Sequence, residues 1–550
     1  MALSTLLVTF LMGAGLANAA TVSYDAKPIG CKGIQPPKVS GASIVSFSAQ
    51  EQYNVSGIYV DESIPKIDFM DGLDICNVEV TLTHPGTGDR TGFQIWLPLK
   101  GWNNRFLATG GGGYIAGHRG VQGLGLPVKS GFAGGITDGG NISDAGGFLL
   151  PDMITSPGQI DMNRLTNFAS KSLHELAVIG KAVAKSFYGR APSHSYWHGC
   201  SQGGRQGYML AQKYPGDFDG ILANAPAIDI SRLLVGAGWG EFTMRRLNHT
   251  VSTCVFNAFY RAAVKACDGI DGVKDDIVSN PDSCHFNPFD IVGQTVDCKP
   301  ELTTISSKDA EVVKVIMGGA ISPSGTQLWR PYSWGMNFSS VAPVDRNFSE
   351  LWNRWVSIMV NKNPSFDKSN YKTLEQFAKF MKISVAEYDS VIGTTSADLS
   401  AFRDQGGKLL TWHGLADDII PKDNTIKYRK AIEAKMGGNQ LVNEFYRVFF
   451  PAGISHCFGG NGAFPGDALD SLVQWVEKGK APEKLHGKTR PFSGAPAERI
   501  ICPYPLVARY DGKGDDTKAS SYTCAKNFAA EVYSDSAQTG RKDTSFNPIS

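Results

Sequence analysis

Polar and apolar residues alternate with a period of two from Tyr53 to Pro98, in Cys76-Asn77-Val78-Glu79-Val80-Thr81-Leu82-Thr83 and again in Gly92-Phe93-Gln94-Ile95-Trp96-Leu97-Pro98. A strand sends successive side chains to opposite faces, so this stretch reads as antiparallel strands forming one edge of a sheet. The strand pattern returns from Trp102 to Thr109 and breaks at Gly110-Gly111-Gly112-Gly113. From Asn163 to Phe187 the period changes. Leu173, Leu176, Ile179, Val183 and Phe187 fall on one face of a long helix that stops at Gly189, before Pro192. Ser195-Tyr196-Trp197-His198 then reads as a strand, Gly203 to Tyr214 as a helix halted by Pro215, and Gly220 to Ala227 as a buried parallel strand. Strands alternating with helices predict an α/β fold built on a mostly parallel, doubly wound sheet.

Between Ile228 and Phe402 strand signals fade and amphipathic helical patterns take over, which reads as a large, mainly helical lid inserted into the sheet. Trp239, Phe242, Trp329, Tyr332, Trp334, Trp352 and Trp355 are candidates to line a pocket there, although packing of the lid core is the simpler role for any one of them. The sheet resumes at Gly407 to Gly414 and ends with a strand from Phe445 to Phe450. At the start of the chain, apolar Leu3 to Leu16 followed by Ala17-Asn18-Ala19 has the form of a secretory signal peptide. The expected division is therefore a leader at 1–19, a first core part at 20–227, a lid at 228–402 and a second core part at 403–550.

Charge narrows the function classes. The formal net charge is +1 over 550 residues, with no block of like charge, which argues against a nucleic-acid groove. No later stretch is long enough for a membrane-spanning helix. Ten cysteines behind a secretory leader, with no Cys-x-x-Cys pair, predict five disulfides rather than zinc ligands. Sequons at Asn54, Asn141, Asn248, Asn337 and Asn347 are compatible with glycosylation.

The chemistry gathers at His198-Gly199-Cys200-Ser201-Gln202-Gly203-Gly204. A serine with glycines two residues either side, between a strand and a helix, predicts a sharp turn that lifts its hydroxyl above the sheet edge. Acyl transfer from such a serine needs two backbone donors for the oxyanion: the amide of Gln202, and one from the glycine loop, Gly111 or Gly112. It also needs a base and a buried carboxylate. The two last strands deliver Asp417, with Asp418 as its rival, and then His456; His413 precedes the acid and reads as a supporting residue. The order Ser201, Asp417, His456 is that of α/β-hydrolases. If Ser201 and His456 meet at about 3 Å, their neighbours Cys200 and Cys457 come within the roughly 4.4–6.8 Å Cα separation of a disulfide, so a Cys200–Cys457 bridge is expected. The other eight cysteines allow 105 connectivities, which the sequence alone leaves open; nearness in sequence favours Cys31–Cys76, Cys267–Cys284 and Cys502–Cys524, leaving Cys254 with Cys298.

In the lid, Asp268, Asp271 and Asp275 stand at i, i+3 and i+7 around a glycine, with the carbonyls of Val273 and Ile277 as further oxygen donors. That set suits Ca²⁺ or is an acidic surface turn.

Cys200-Ser201, Asp417 and His456-Cys457, with the block Gly199-Cys200-Ser201-Gln202-Gly203-Gly204-Arg205-Gln206-Gly207, resemble the arrangement of the tannase and feruloyl esterase family over nearly the whole chain after the leader. The resemblance implies an α/β-hydrolase core, the disulfide beside the triad, and a structural Ca²⁺ on Asp268, Asp271, Asp275 and the carbonyls of Val273 and Ile277. One departure stands out: Asp276 follows Asp275 where the family usually has glycine. The implied activity is hydrolysis of an aromatic ester, either a small one or a feruloylated oligosaccharide, without an organic cofactor. Galloyl esters are the alternative and a catalytically dead binding protein is a remote one.

Overall fold

The computed structural model describes residues 30–59, 68–140, 150, 153–338, 340–341, 346–490 and 495–526. The leader at 1–19, Asn141 and the side chain of Asn347 lie outside them.

Among the described residues the largest sheet has nine strands: β1 (Ser43–Tyr59), β2 (Asp68–Thr83), β3 (Thr91–Pro98), β4 (Arg105–Thr109), β5 (Ala133–Thr137), β6 (His194–Cys200), β7 (Gly220–Asn224), β8 (Lys408–Trp412) and β9 (Tyr446–Phe449). Their spatial order is β1-β2-β3-β5-β4-β6-β7-β8-β9. The period-two segment forms the antiparallel edge, with Cys76 paired to Glu51 on one side and to Leu97 on the other. From β5 to β9 every pairing is parallel.

The parallel strands are apolar on both faces, and the two faces feed two cores. Phe106, Trp197, Ile221 and Leu409 point into one core, where α1 (Ser172–Tyr188) brings Leu173, Leu176, Ile179, Val183 and Phe187. Their neighbours Leu107, Tyr196, Leu222 and Leu410 point into the other. Full burial of each aliphatic side chain contributes about 1.5–3 kcal/mol, so a one-residue register slip would cost both cores at once. The helix expected from Asn163 is present but interrupted by a π turn at Asn167–Lys171, and Gly189 caps it at φ 74°. After β6 comes α2 (Gln202–Lys213).

The segment between β7 and β8 carries α3 (Thr253–Cys267), α4 (Ser307–Met317) and α5 (Leu374–Ile392) with shorter helical turns and one small hairpin. One of its hydrophobic clusters is its own, and the other is shared with Tyr114, Phe168 and Ile420 from outside it. Trp239, Phe242, Trp329, Trp352 and Trp355 are all buried in one cluster with Phe377 and Tyr371, while Tyr332 sits in a second cluster that Trp334 covers. The ring of Trp239 stacks on Phe242 at 5.4 Å and meets Phe377 edge-on at 5.1 Å. These aromatics pack the interior of the segment and its seam with the rest of the molecule. Beyond β8 run α6 (Asp423–Met436) and, after β9, α7 (Ala468–Lys478), which supplies Leu472 and Trp475 to the second core.

Candidate active site

β6 ends at Cys200 and α2 begins at Gln202, so Ser201 alone makes the turn, at φ 59° and ψ −116°. A left-handed non-glycine residue costs on the order of 1–3 kcal/mol, and the close packing around it explains why the turn persists. A Cβ on Gly199 would stand 2.6 Å from the Gly203 carbonyl carbon, and one on Gly204 2.4 Å from the Asn224 oxygen.

His456 Nε2 lies 2.8 Å from Ser201 Oγ, and its Nδ1 lies 2.8 Å from Asp417 Oδ2. A carboxylate only accepts, so Nδ1 carries the proton and Nε2 is left to accept from the serine hydroxyl. Asp417 is buried, and its Oδ1 accepts from the amides of Ile419 at 2.9 Å and Ile420 at 2.8 Å. His413 Nε2 faces two acceptors, Asp417 Oδ2 and the Ile420 carbonyl, both at 3.0 Å, so it donates, while Nδ1 accepts from Thr425 Oγ1 at 2.8 Å. Burial on its own would raise the Asp417 carboxyl. The charge of His456 and the bonds from both histidines overcome it and hold the group well below the usual carboxylate range.

Asp418 points elsewhere. Its Oδ2 accepts from the Ser340 amide at 3.2 Å and its carbonyl from Ser340 Oγ at 2.6 Å. Asn337 Nδ2 donates to Ser455 Oγ at 3.3 Å, beside His456. Asn337 and Ser340, both between β7 and β8, are thus hooked to the base loop and the acid loop. The sequence reading missed both hooks, because their partners lie 118 and 78 residues away.

The glycine loop docks on the elbow. Gly203 N donates to the Gly111 carbonyl at 2.7 Å, and Gly110 N to the His198 carbonyl at 2.9 Å. Gly111 N is 3.3 Å from Gln206 Oε1, whereas Gly112 carries no such competing acceptor from the Gln206 side chain. The Gln202 amide is the first of α2, where no carbonyl within the helix reaches it. Arg205, one turn on, was quoted in the motif but given no role. It is fully buried and donates to Gln202 Oε1 at 2.8 Å, the Ala169 carbonyl at 3.0 Å and the Ile392 carbonyl at 3.2 Å. Burial pulls its guanidinium down to about 9.

All five expected disulfides are present: Cys31–Cys76, Cys200–Cys457, Cys254–Cys298, Cys267–Cys284 and Cys502–Cys524. The second brings the neighbours of Ser201 and His456 to a Cα separation of 5.9 Å.

In the acidic loop, Asp268 Oδ1 accepts from the amides of Asp275 and Ile277, each at 3.1 Å, and Asp271 Oδ1 from Val273 at 3.1 Å. Asp276 takes the left-handed conformation at φ 61°, as the glycine it replaces would. Arg499 donates to Asp275 Oδ2 at 2.7 Å, while Asp275 Oδ1 is buried without a hydrogen-bond partner. Among the described residues no three His, Cys, Asp or Glu side chains gather into a ready metal cage. The orphaned oxygen and the all-oxygen donor set nevertheless fit a hard cation.

A family model for tannase and feruloyl esterase matches residues 76–525. The chain belongs to that family. A relative from Arthroderma benhamiae, named probable feruloyl esterase, is 40% identical over 538 residues, covering 96% of this chain and 99% of its own. Probable feruloyl esterase B-2 from Neosartorya fischeri is 32% identical over 482 residues, with coverage of 82% and 86%. Among solved structures, the tannin acyl hydrolase from Aspergillus niger superposes with a TM-score of 0.80 at 28% identity, over 90% of this chain and 94% of that one. Feruloyl esterase B from Aspergillus oryzae gives 0.73 at 26% identity, over 89% and 97%. Members of this family are carboxylic ester hydrolases with the α/β-hydrolase fold seen here.

Proposed function

We propose that the protein is a secreted serine esterase that cleaves esters of aromatic acids, in the first place feruloyl and other hydroxycinnamoyl esters of plant-wall polysaccharide. The observation that carries this reading is the unbroken hydrogen-bonded chain from Ser201 through His456 to Asp417. Ser201 Oγ attacks the ester carbonyl as its proton passes to His456 Nε2. Asp417 holds the imidazole and balances the imidazolium, and the amides of Gln202 and Gly112 receive the oxyanion. His456 returns the proton to the leaving alcohol, the acyl group stays on Ser201, and water reverses the sequence. No step calls for an organic cofactor.

Similarity to the tannin acyl hydrolase supports a second reading, hydrolysis of galloyl esters. Parallel turnover of methyl ferulate and methyl gallate separates the two. A higher kcat/KM on methyl ferulate supports the first reading, the reverse supports the second, and failure on both counts against an aromatic acyl group altogether.

Five disulfides, and the lack of any helix among the described residues long and apolar enough to cross a membrane, support export through the leader at 1–19. Among the described residues, exposed Asn54 and Asn248 are the sequons best placed for a glycan, since Asn337 spends its side-chain amide on Ser455. Asp268, Asp271 and Asp275, with the carbonyls of Val273 and Ile277, would hold a structural Ca²⁺. The ion would answer the orphaned Asp275 Oδ1 among these partly buried carboxylates.

A further inference from the structure

Four aromatic side chains stand out from the surface among the described residues: Tyr53 and Phe69 on the β1–β2 edge, Phe289 between β7 and β8, and Phe458. Phe458 alone lies in a loop that carries a triad residue, two positions after the base His456. Two peptide steps span at most about 7.6 Å between Cα atoms, so its backbone stays beside the base. The side chain is 51% exposed, and among the described residues it joins none of the hydrophobic clusters.

The loop that presents it is firmly held. Ile454 and Gly460 close it with an antiparallel bridge, and the Ser455 amide donates to the Gly459 carbonyl at 3.3 Å. Three ties fasten it to the rest of the molecule: the Ala416 amide of the acid loop donates to the Ile454 carbonyl at 3.0 Å, Asn337 Nδ2 donates to Ser455 Oγ at 3.3 Å, and Cys457 is joined to Cys200 beside the nucleophile. At Cys457 φ is 54°, and the Phe458 amide donates back to the His456 carbonyl, which makes the rare, strained form of a three-residue γ-turn. Such a conformation persists only where its surroundings over-determine it, as at ligand clamps and active sites. The ties that fix His456 therefore fix Phe458 with it.

We propose that Phe458 is the platform for the alcohol side of the ester, its ring covering the apolar face of the first sugar of a feruloylated oligosaccharide. The side follows from the reaction. His456 Nε2 returns its proton to the leaving oxygen, which must come within hydrogen-bond reach of it, while the carbonyl oxygen is drawn to the amides of Gln202 and Gly112. A ring carried by the loop of His456 meets what the leaving oxygen bears. A sugar presents C–H groups on its faces and hydroxyls at its edge, so an aromatic face covers the first and leaves the second in water. A methyl ester has nothing to place there. The proposal rests on the esterase reading and deepens it, from the acyl group to the alcohol.

The test compares kcat/KM on a feruloyl arabinofuranoside with kcat/KM on methyl ferulate, for the full-length parent, Phe458→Ala and Phe458→Trp. Phe458→Ala should lower the value on the sugar ester at least about tenfold more than on the methyl ester, with the difference in KM, because the sugar contact is made alike in ground and transition states. Phe458→Trp restores a ring and should bring the sugar-to-methyl ratio back to within about twofold of the parent's. A ratio that Phe458→Ala leaves unaltered would overturn the proposal, and an equal loss on both esters would place Phe458 in the acyl pocket or in the support of the loop. If the parent turned over galloyl esters instead, galloyl glucose and methyl gallate take the places of the two ferulates and the same ratio decides. Hydrolysis of none of these esters by the parent would bring down the esterase reading together with the proposal, whereas hydrolysis with an unaltered ratio would remove Phe458 alone.

Discussion

A buried guanidinium with no carboxylate partner among the described residues sits one helical turn from Ser201, and its three acceptors explain why it is there. Arg205 fixes the side chain of Gln202, closes the C-terminus of α5 through the Ile392 carbonyl, and binds Ala169 in the π turn before α1. It therefore holds the residue whose amide would receive the oxyanion against two other elements. Lysine keeps the charge but cannot present the planar fork. Arg205→Lys should lower kcat at least tenfold on methyl ferulate with little change in KM, because the oxyanion donor is displaced while the ground-state pocket is not. An unchanged kcat, or a loss confined to KM, would remove Arg205 from the catalytic geometry. Ser201, Asp417 and His456 were legible in the sequence because each is announced locally, by a turn motif or by the end of a strand. Arg205 was not, since in a helix an arginine reads as exposed and its carbonyl partners lie 36 and 187 residues away.

At the scale of elements, the strands and the elbow helix followed from periodicity, whereas the lid disclosed only its helical character. Its aromatics were candidates for pocket walls as well as core, because spacing along a helix tells which residues share a face but not what that face meets. Packing decided for the core. Just inside the segment expected as a lid at 228–402, Asp229 precedes the helix Ile230–Gly236 and is bonded to Arg232 at 3.1 Å. Burial pushes its carboxyl up to about 6, against the opposing charge of Arg232. Since the folded value exceeds the unfolded one, stability from this group is fully present below the ordinary carboxylate value near 3.8 and is lost as pH rises through about 6. Asp229→Asn should therefore be least favourable near pH 4. It should gain on the parent by up to about 3 kcal/mol by pH 7, read as the difference in chemical unfolding free energy. A difference independent of pH would show that folding leaves the Asp229 carboxyl unshifted.

Across the whole molecule, long-range ties join parts that the chain keeps far apart. Cys200–Cys457 spans 257 residues and clamps the nucleophile turn to the base loop, and its pairing could be anticipated because the triad itself demands that proximity. Arg499, on a strand near the C-terminus, reaches Asp275 in the lid across 224 residues, a contact that no local signal carries. Burial raises the carboxyls of both Asp271 and Asp275, and Asp275 Oδ1 is left without a hydrogen-bond partner, an opening that a Ca²⁺ ion would fill. Chelator should lower the midpoint of thermal unfolding and added Ca²⁺ should restore it, by mass action on the folded state. An unchanged midpoint together with no metal in elemental analysis would leave the loop an acidic turn.

The central claim is that Ser201 carries the acyl group between two half-reactions. Rapid acid quench during turnover of methyl ferulate, followed by peptide mass mapping, reads this directly. The peptide containing Ser201 should gain the mass of one feruloyl group, and Ser201→Ala should lose both the adduct and at least about 10⁴-fold in kcat. Turnover by Ser201→Ala at the parent rate, with no acylated peptide in either protein, would contradict the mechanism.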